Sequence, residues 1–80
     1  MLSDDLLNKK TRIDKIIKNT KSDFELFNIL RAECERIDFV KKDIILNFEK
    51  TKFKINKKEK RVKEIIAYDK ELNKFKKFSF

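Results

Sequence analysis

The sequence predicts a small all-α domain, a three-helix bundle in a single unit over residues 1–80, whose first two helices form an antiparallel hairpin. Three observations predict it. The chain has neither Gly nor Pro, so nothing in it breaks a helix outright. Ala, Glu, Lys, Leu and Arg, all good helix formers, make up 38 of its 80 residues. Apolar residues recur at three- and four-residue spacing over most of its length.

The first helix is expected at about 3–19. Ser3 is its N-cap, and Asp4 and Asp5 in the first turn complement the helix dipole. Leu2 and Leu7 have the spacing of a hydrophobic staple. Leu6, Ile13, Ile16 and Ile17 continue one apolar stripe with Leu2.

The second helix is expected at about 22–48, opened by the capping box of Ser22 and Glu25. Phe27, Leu30, Cys34, Ile37, Lys41, Ile44 and Phe48 follow as a heptad seam with one basic interruption, Lys41. Phe24, Ala32, Phe39 and Leu46 project from its other side. A helix apolar on two sides is central or shared with a second subunit, so a homodimer is expected to be possible.

A third helix at about 57–77 is expected from Val62, Ile65, Ile66, Tyr68, Leu72 and Phe75, with Asn56 and Glu59 as its capping pair. Lys57 and Lys58 in its first turn oppose the dipole. The competing reading is α+β. Two N-terminal helices would precede a small antiparallel meander with strands at 44–55, 61–69 and 74–80 and a turn from Asp69 to Asn73. Short apolar runs fit both periods. The helical reading is preferred for the i, i+3, i+7, i+10 spacing of Ile65, Tyr68, Leu72 and Phe75. The expected core is Leu6, Ile13, Ile17, Phe27, Leu30, Cys34, Ile37, Ile44, Phe48, Val62, Ile65, Leu72 and Phe75.

Composition excludes several functions. There is no His, the commonest general base, and Ser3 and Ser22 are better explained as caps than as nucleophiles, so no catalytic residue is assigned. Cys34 is the only thiol and sits in the apolar seam, where it is expected as a small core residue. One cysteine precludes an intrachain disulfide and fits a reducing, cytoplasmic setting. Close acid pairs such as Asp4 with Asp5 and Glu33 with Glu35 read as helix-start or solvated-face features, so neither a metal nor another cofactor is expected. A chain without Gly has no phosphate-binding loop. Apolar runs such as Ile44 to Leu46 are far short of a membrane span.

The positive signal is charge. The formal net charge is +8, and residues 41–63 carry +7 of it, while residues 1–40 sum to zero. Lys50, Lys52, Lys54, Lys57, Lys58, Lys60, Arg61 and Lys63 crowd into one stretch, with Phe53 and Ile55 between them. Such a cluster attracts phosphate backbones by counterion release, and an exposed Phe53 would stack on an unpaired base. Eighteen Lys against four Arg imply point-charge contacts and low sequence specificity, for DNA or RNA. The plain alternative is a solvated loop. An AT-rich coding sequence would also raise Lys.

The expected function is therefore a non-enzymatic binder of nucleic acid, or of a nucleic-acid-bound complex, through residues 50–63. The second reading is a protein-interaction module, an adaptor or an inhibitor seated on an acidic protein surface, a role compatible with carriage by a mobile element. Phe39 and Leu46 would be its anchors. The basic and aromatic end, Lys74 to Phe80, has a third use, at an anionic membrane surface.

Overall fold

Ser3 and Ser22 start two helices, as their side chains predict. In the computed structural model, which describes residues 2–80, helix α1 spans Asp4–Asn19 and the Ser3 hydroxyl accepts from the Leu6 N–H. Helix α2 spans Asp23–Leu30, with the Ser22 hydroxyl accepting from the Glu25 N–H. The connection between them is short because the Thr20 N–H folds back to Ile16 O at 3.0 Å and closes α1.

Beyond Leu30 the expected helices are not there. The chain forms five strands: β1 (Arg36–Phe39), β2 (Asp43–Asn47), β3 (Thr51–Asn56), β4 (Arg61–Asp69) and β5 (Lys74–Ser79). Each pairs antiparallel with the next, in the order β1-β2-β3-β4-β5. Strands hold 38% of the residues and helices 30%, so the all-α domain and the helical bundle are both corrected to a two-helix, five-strand meander. The helix expected at 22–48 ends at Leu30, and the one expected at 57–77 is strands β4 and β5 with their turn. The competing meander named strands in the right part of the chain but merged β2 with β3 and missed β1.

The heptad seam misled because its spacing is shared. Ile37 and Ile44 are seven apart, yet they lie on neighbouring strands: Ile37 faces Leu46 and Phe39 faces Ile44 across β1 and β2. The alternation Ile37, Phe39 and then Ile44, Leu46 is the period-2 pattern of a half-buried sheet. Val62, Ile65 and Ile66 add the β-branched enrichment of a strand.

Both helices cover one face of the sheet. The core there is Ile13 and Ile17 of α1, Leu26 and Leu30 of α2, and Ile44, Leu46, Phe53, Ile55, Val62 and Ile65 of the sheet. Leu6, Cys34, Ile37 and Phe48 pack at its margin. Three expected core residues lie outside it: Phe27, Leu72 and Phe75 are exposed. Leu72 falls in the β4–β5 turn, and Phe75 is on the sheet face that the helices do not cover.

Two polar links fix α1 in place. The Val62 N–H lies just past the end of β5's pairing, and the Asp14 carboxylate of α1 accepts from it at 2.7 Å. Arg12 binds both carboxylate oxygens of Glu33, joining α1 to the segment after α2. That hydrogen bond, with the guanidinium charge, holds the Glu33 carboxyl below its ordinary range and raises Arg12.

Candidate nucleic-acid interface

Alternation along β3 sorts the basic segment. Phe53 and Ile55 point to the helices and are fully buried, while Lys52 and Lys54 point to the open face. Phe53 meets Phe48 edge-on at 5.4 Å between ring centroids. It is a core residue, and the expectation that it stacks on a base is corrected. Leu46 is likewise fully buried, so it is no interface anchor; Phe39 remains 40% exposed.

The other cations scatter. Lys50 lies in the β2–β3 turn, at the opposite end of β3 from Lys57, Lys58 and Lys60 in the β3–β4 turn. The six residues of β3 separate these two groups by about 20 Å. Lys57 pairs with Asp23 at 3.5 Å. Arg61 binds Glu59 at 2.5 Å and donates to Phe80 O at 3.0 Å. Lys63 sits at the β-bulge between β3 and β4 and reaches Asp43 at 2.9 Å. The segment 50–63 is not one continuous patch.

Register builds a different cluster. Across the five strands, Arg36 faces Asn47, Asn47 faces Lys52, Lys52 faces Ile66, and Ile66 faces Lys77. This row carries three cations and no acid. It runs perpendicular to the strands for about 19 Å, at about 4.8 Å per strand. One pleat further along, Tyr68 faces Phe75 on the same side, with ring centroids 5.2 Å apart and an interplanar angle of 57°. Phe75 is 61% exposed. A groove of about 330 Å³ crosses the open face, floored by Ile45 and Ile66, with Arg36, Lys52 and Lys54 and the carboxylates of Asp38 and Glu64 along its walls.

The cations of the open face differ in their neighbours. Arg36 pairs with Asp38 at 3.1 Å, and Lys77 lies 3.6 Å from Glu64. Among the described residues, Lys52 and Lys54 form no ion pair. Their ammonium groups are free for an anionic ligand.

Arg36, Ile66, Tyr68, Phe75 and Lys77 escaped the sequence reading as site residues. The available signal was alternation. Lys52 and Lys54 are two apart, as are Phe75 and Lys77, and residues two apart share a sheet face.

Elsewhere the chemistry is quiet. Cys34 is half-buried, and burial, followed by the Glu33 charge, pushes its thiol up, while Lys9 and Arg12 pull it down. At neutral pH it is therefore the weakly nucleophilic thiol. Among the described residues no three His, Cys, Asp or Glu side chains are placed to hold a metal ion. No helix among them is long and apolar enough to cross a membrane. The basic-aromatic C-terminal segment is strand β5, with Phe78 turned inward opposite Ile65.

Comparison with known proteins finds no family model, no curated protein and no solved structure that matches this chain.

Proposed function

We propose that this chain is a non-enzymatic cytoplasmic binding module that takes single-stranded nucleic acid on the open face of its sheet. One observation carries the reading. A cross-strand row of three cations lies beside an aromatic pair, exposed Phe75 and half-buried Tyr68, on a face that neither helix covers.

The physical logic favours a single strand. A flat sheet face does not enter a duplex groove as a helix or a two-stranded ribbon does. It suits unstacked bases, which lie on aromatic side chains while the phosphates meet lysines. Arg36, Lys52, Lys54 and Lys77 supply about four phosphate contacts. The surface has no constellation for base-edge readout, so binding should be tolerant of sequence.

Fluorescence anisotropy with labelled single-stranded RNA, single-stranded DNA and duplex DNA tests this. Four contacts on a single strand give a log–log salt slope of about −3, hence roughly a fiftyfold loss of affinity between about 50 and 200 mM salt. Lys52→Glu with Lys54→Glu should abolish binding. Phe75→Ala should weaken it about tenfold or more, since one stacked base contributes about 1–3 kcal/mol. Lys58→Glu with Lys60→Glu, in the turn, should change it little. All five substituted positions are exposed or half-exposed, so melting temperatures should stay near that of the parent chain. Preference for duplex, or equal sensitivity to the turn and sheet substitutions, would overturn the reading.

A protein partner is the second reading. Exposed Phe24, Phe27 and Phe39 beside basic residues support it. Absence of binding to all three nucleic acids at the lowest salt would favour it.

A further inference from the structure

The two edges of the sheet are built differently. Strand β5 carries Lys74, Lys76 and Lys77, and Lys76 points to the helix-covered side opposite Ala67. Lysines on an edge, including inward-pointing ones, discourage pairing with another chain. Strand β1 reads Arg36-Ile37-Asp38-Phe39 and has no lysine. With no lysine and no charge on its helix-covered side, it is the less guarded edge.

Its backbone is phased for pairing. The Val40 N–H donates to Asp43 O at 3.0 Å, which sets the phase of the β1–β2 ladder. Antiparallel residues alternate in direction, so Arg36 and Asp38 turn their backbone groups to β2. Ile37 and Phe39 therefore direct N–H and C=O outward.

We infer that β1 pairs antiparallel with β1 of a second copy of this chain, about a two-fold axis at Ile37, to make a continuous ten-stranded sheet. Charge selects this register. With the axis at Ile37, Arg36 stands directly opposite Asp38 of the second copy, and the same contact repeats across the axis. A shift of the axis to Asp38 sets the two Asp38 carboxylates against each other, which is unfavourable. Arg36 is mostly exposed, and its Nε alone is engaged with Asp38 Oδ2 at 3.1 Å, so its terminal nitrogens remain to reach across.

The backbone supplies up to four hydrogen bonds. The two Ile37 residues exchange a pair, and each Phe39 N–H meets Glu35 O of the second copy. The Glu35 N–H stays with Asn47 O at 2.8 Å, so pairing stops there.

Apolar burial adds to this. On the helix side, the Phe27 and Phe39 rings sit 6.5 Å apart at this edge, both about two-fifths exposed. Phe24, one turn earlier on α2, is 77% exposed. Pairing sets Phe39 diagonal to Ile37 of the second copy and removes apolar surface at this edge from water. The contact is isologous, so it closes as a dimer and does not propagate.

Sedimentation equilibrium of the protein alone, from about 5 to 500 μM, is the test, because self-association depends on protomer concentration. The mass should rise from that of the 9.7 kDa chain towards twice that value. Arg36→Asp sets like charges together at both symmetric contacts and should weaken association about tenfold or more. Adding Asp38→Arg restores opposite charges and should recover association to within about threefold. Hydrogen exchange at the Ile37 and Phe39 amides should slow as concentration rises, a readout that needs no variant. A monomer at every concentration would overturn the proposal and leave the edge to a strand of another protein. An unaltered Arg36→Asp dimer, a folded double variant that stays monomeric, or concentration-independent exchange would also overturn it. No nucleic acid is present in these measurements, so this outcome and that of the nucleic-acid reading are separable.

Discussion

Lys60 has a φ of 54° and Asn73 a φ of 51°, the two non-glycine residues among those described in the left-handed region. Each closes a four-residue hairpin loop, β3–β4 and β4–β5. Each loop is opened by a side-chain cap. Asn56 Oδ1 accepts from the Glu59 N–H at 2.8 Å, and Asp69 Oδ1 accepts from the Glu71 N–H at 2.9 Å. A chain without glycine must meet the left-handed requirement with a side chain, which costs about 1–2 kcal/mol for most residues and less for Asn. Lys60→Gly is therefore expected to stabilise the fold by about 0.5–1 kcal/mol. Thermal denaturation would show this as a rise of roughly 3–6 °C for a chain of this size. Asn73→Gly should gain less, because Asn tolerates the conformation and Asn73 accepts from the Tyr68 hydroxyl. Local capping chemistry was legible in the sequence at Ser3, Ser22 and Asn56. At Asn56 the hydrogen bond to residue 59 is the one a helix cap would make, but it opens a hairpin loop. The same donor and acceptor spacing serves both, and only the strand that follows distinguishes them.

Strand β3 shows alternation most clearly, with Phe53 and Ile55 on one face and Lys52 and Lys54 on the other. Removing the Phe53 ring leaves a cavity in the core. Phe53→Ala should cost about 3–5 kcal/mol, close to the whole stability of so small a domain. Lys52→Ala, its neighbour, should stay within about 0.5 kcal/mol. Urea denaturation of the two variants compares the faces directly, and similar losses would contradict the alternation. The stretch 36–56 was hard to read because its turns are unmarked. Lys41-Lys42 and Glu49-Lys50 reverse the chain without Gly, Pro or an Asn-Gly pair. Without that punctuation, Ile37, Ile44 and Phe48 fall into register as one long helix. The basic run suffered the same way. Read as one surface, it proved to be two turns, one face of β3 and the start of β4, and the cations of the open-face row come from positions 36, 52 and 77.

At the scale of the molecule, helices and sheet share one core and neither has another. Ile13, Ile17, Leu26 and Leu30 are buried against Ile44, Leu46, Phe53, Ile55, Val62 and Ile65. Helices of 16 and 8 residues have little stability of their own. A peptide of residues 2–33 should therefore show a mostly disordered circular dichroism spectrum. A strongly helical, cooperatively melting peptide would mean that the helical hairpin stands without the sheet. The sequence by itself determined the capped starts of both helices, the burial of Ile13, Ile17, Leu30, Ile44, Val62 and Ile65, and the weight of positive charge in the second half of the chain. These depend on neighbours within a few residues, or on apolarity that buries in either fold. Only the tertiary structure decided that residues 36–79 form a sheet, that Phe53 and Leu46 belong inside it, and that Arg36, Lys52 and Lys77 share a row beside Tyr68 and Phe75. Those outcomes depend on strand register between positions far apart in the chain, and a one-residue slip in pairing would send each of these side chains to the opposite face.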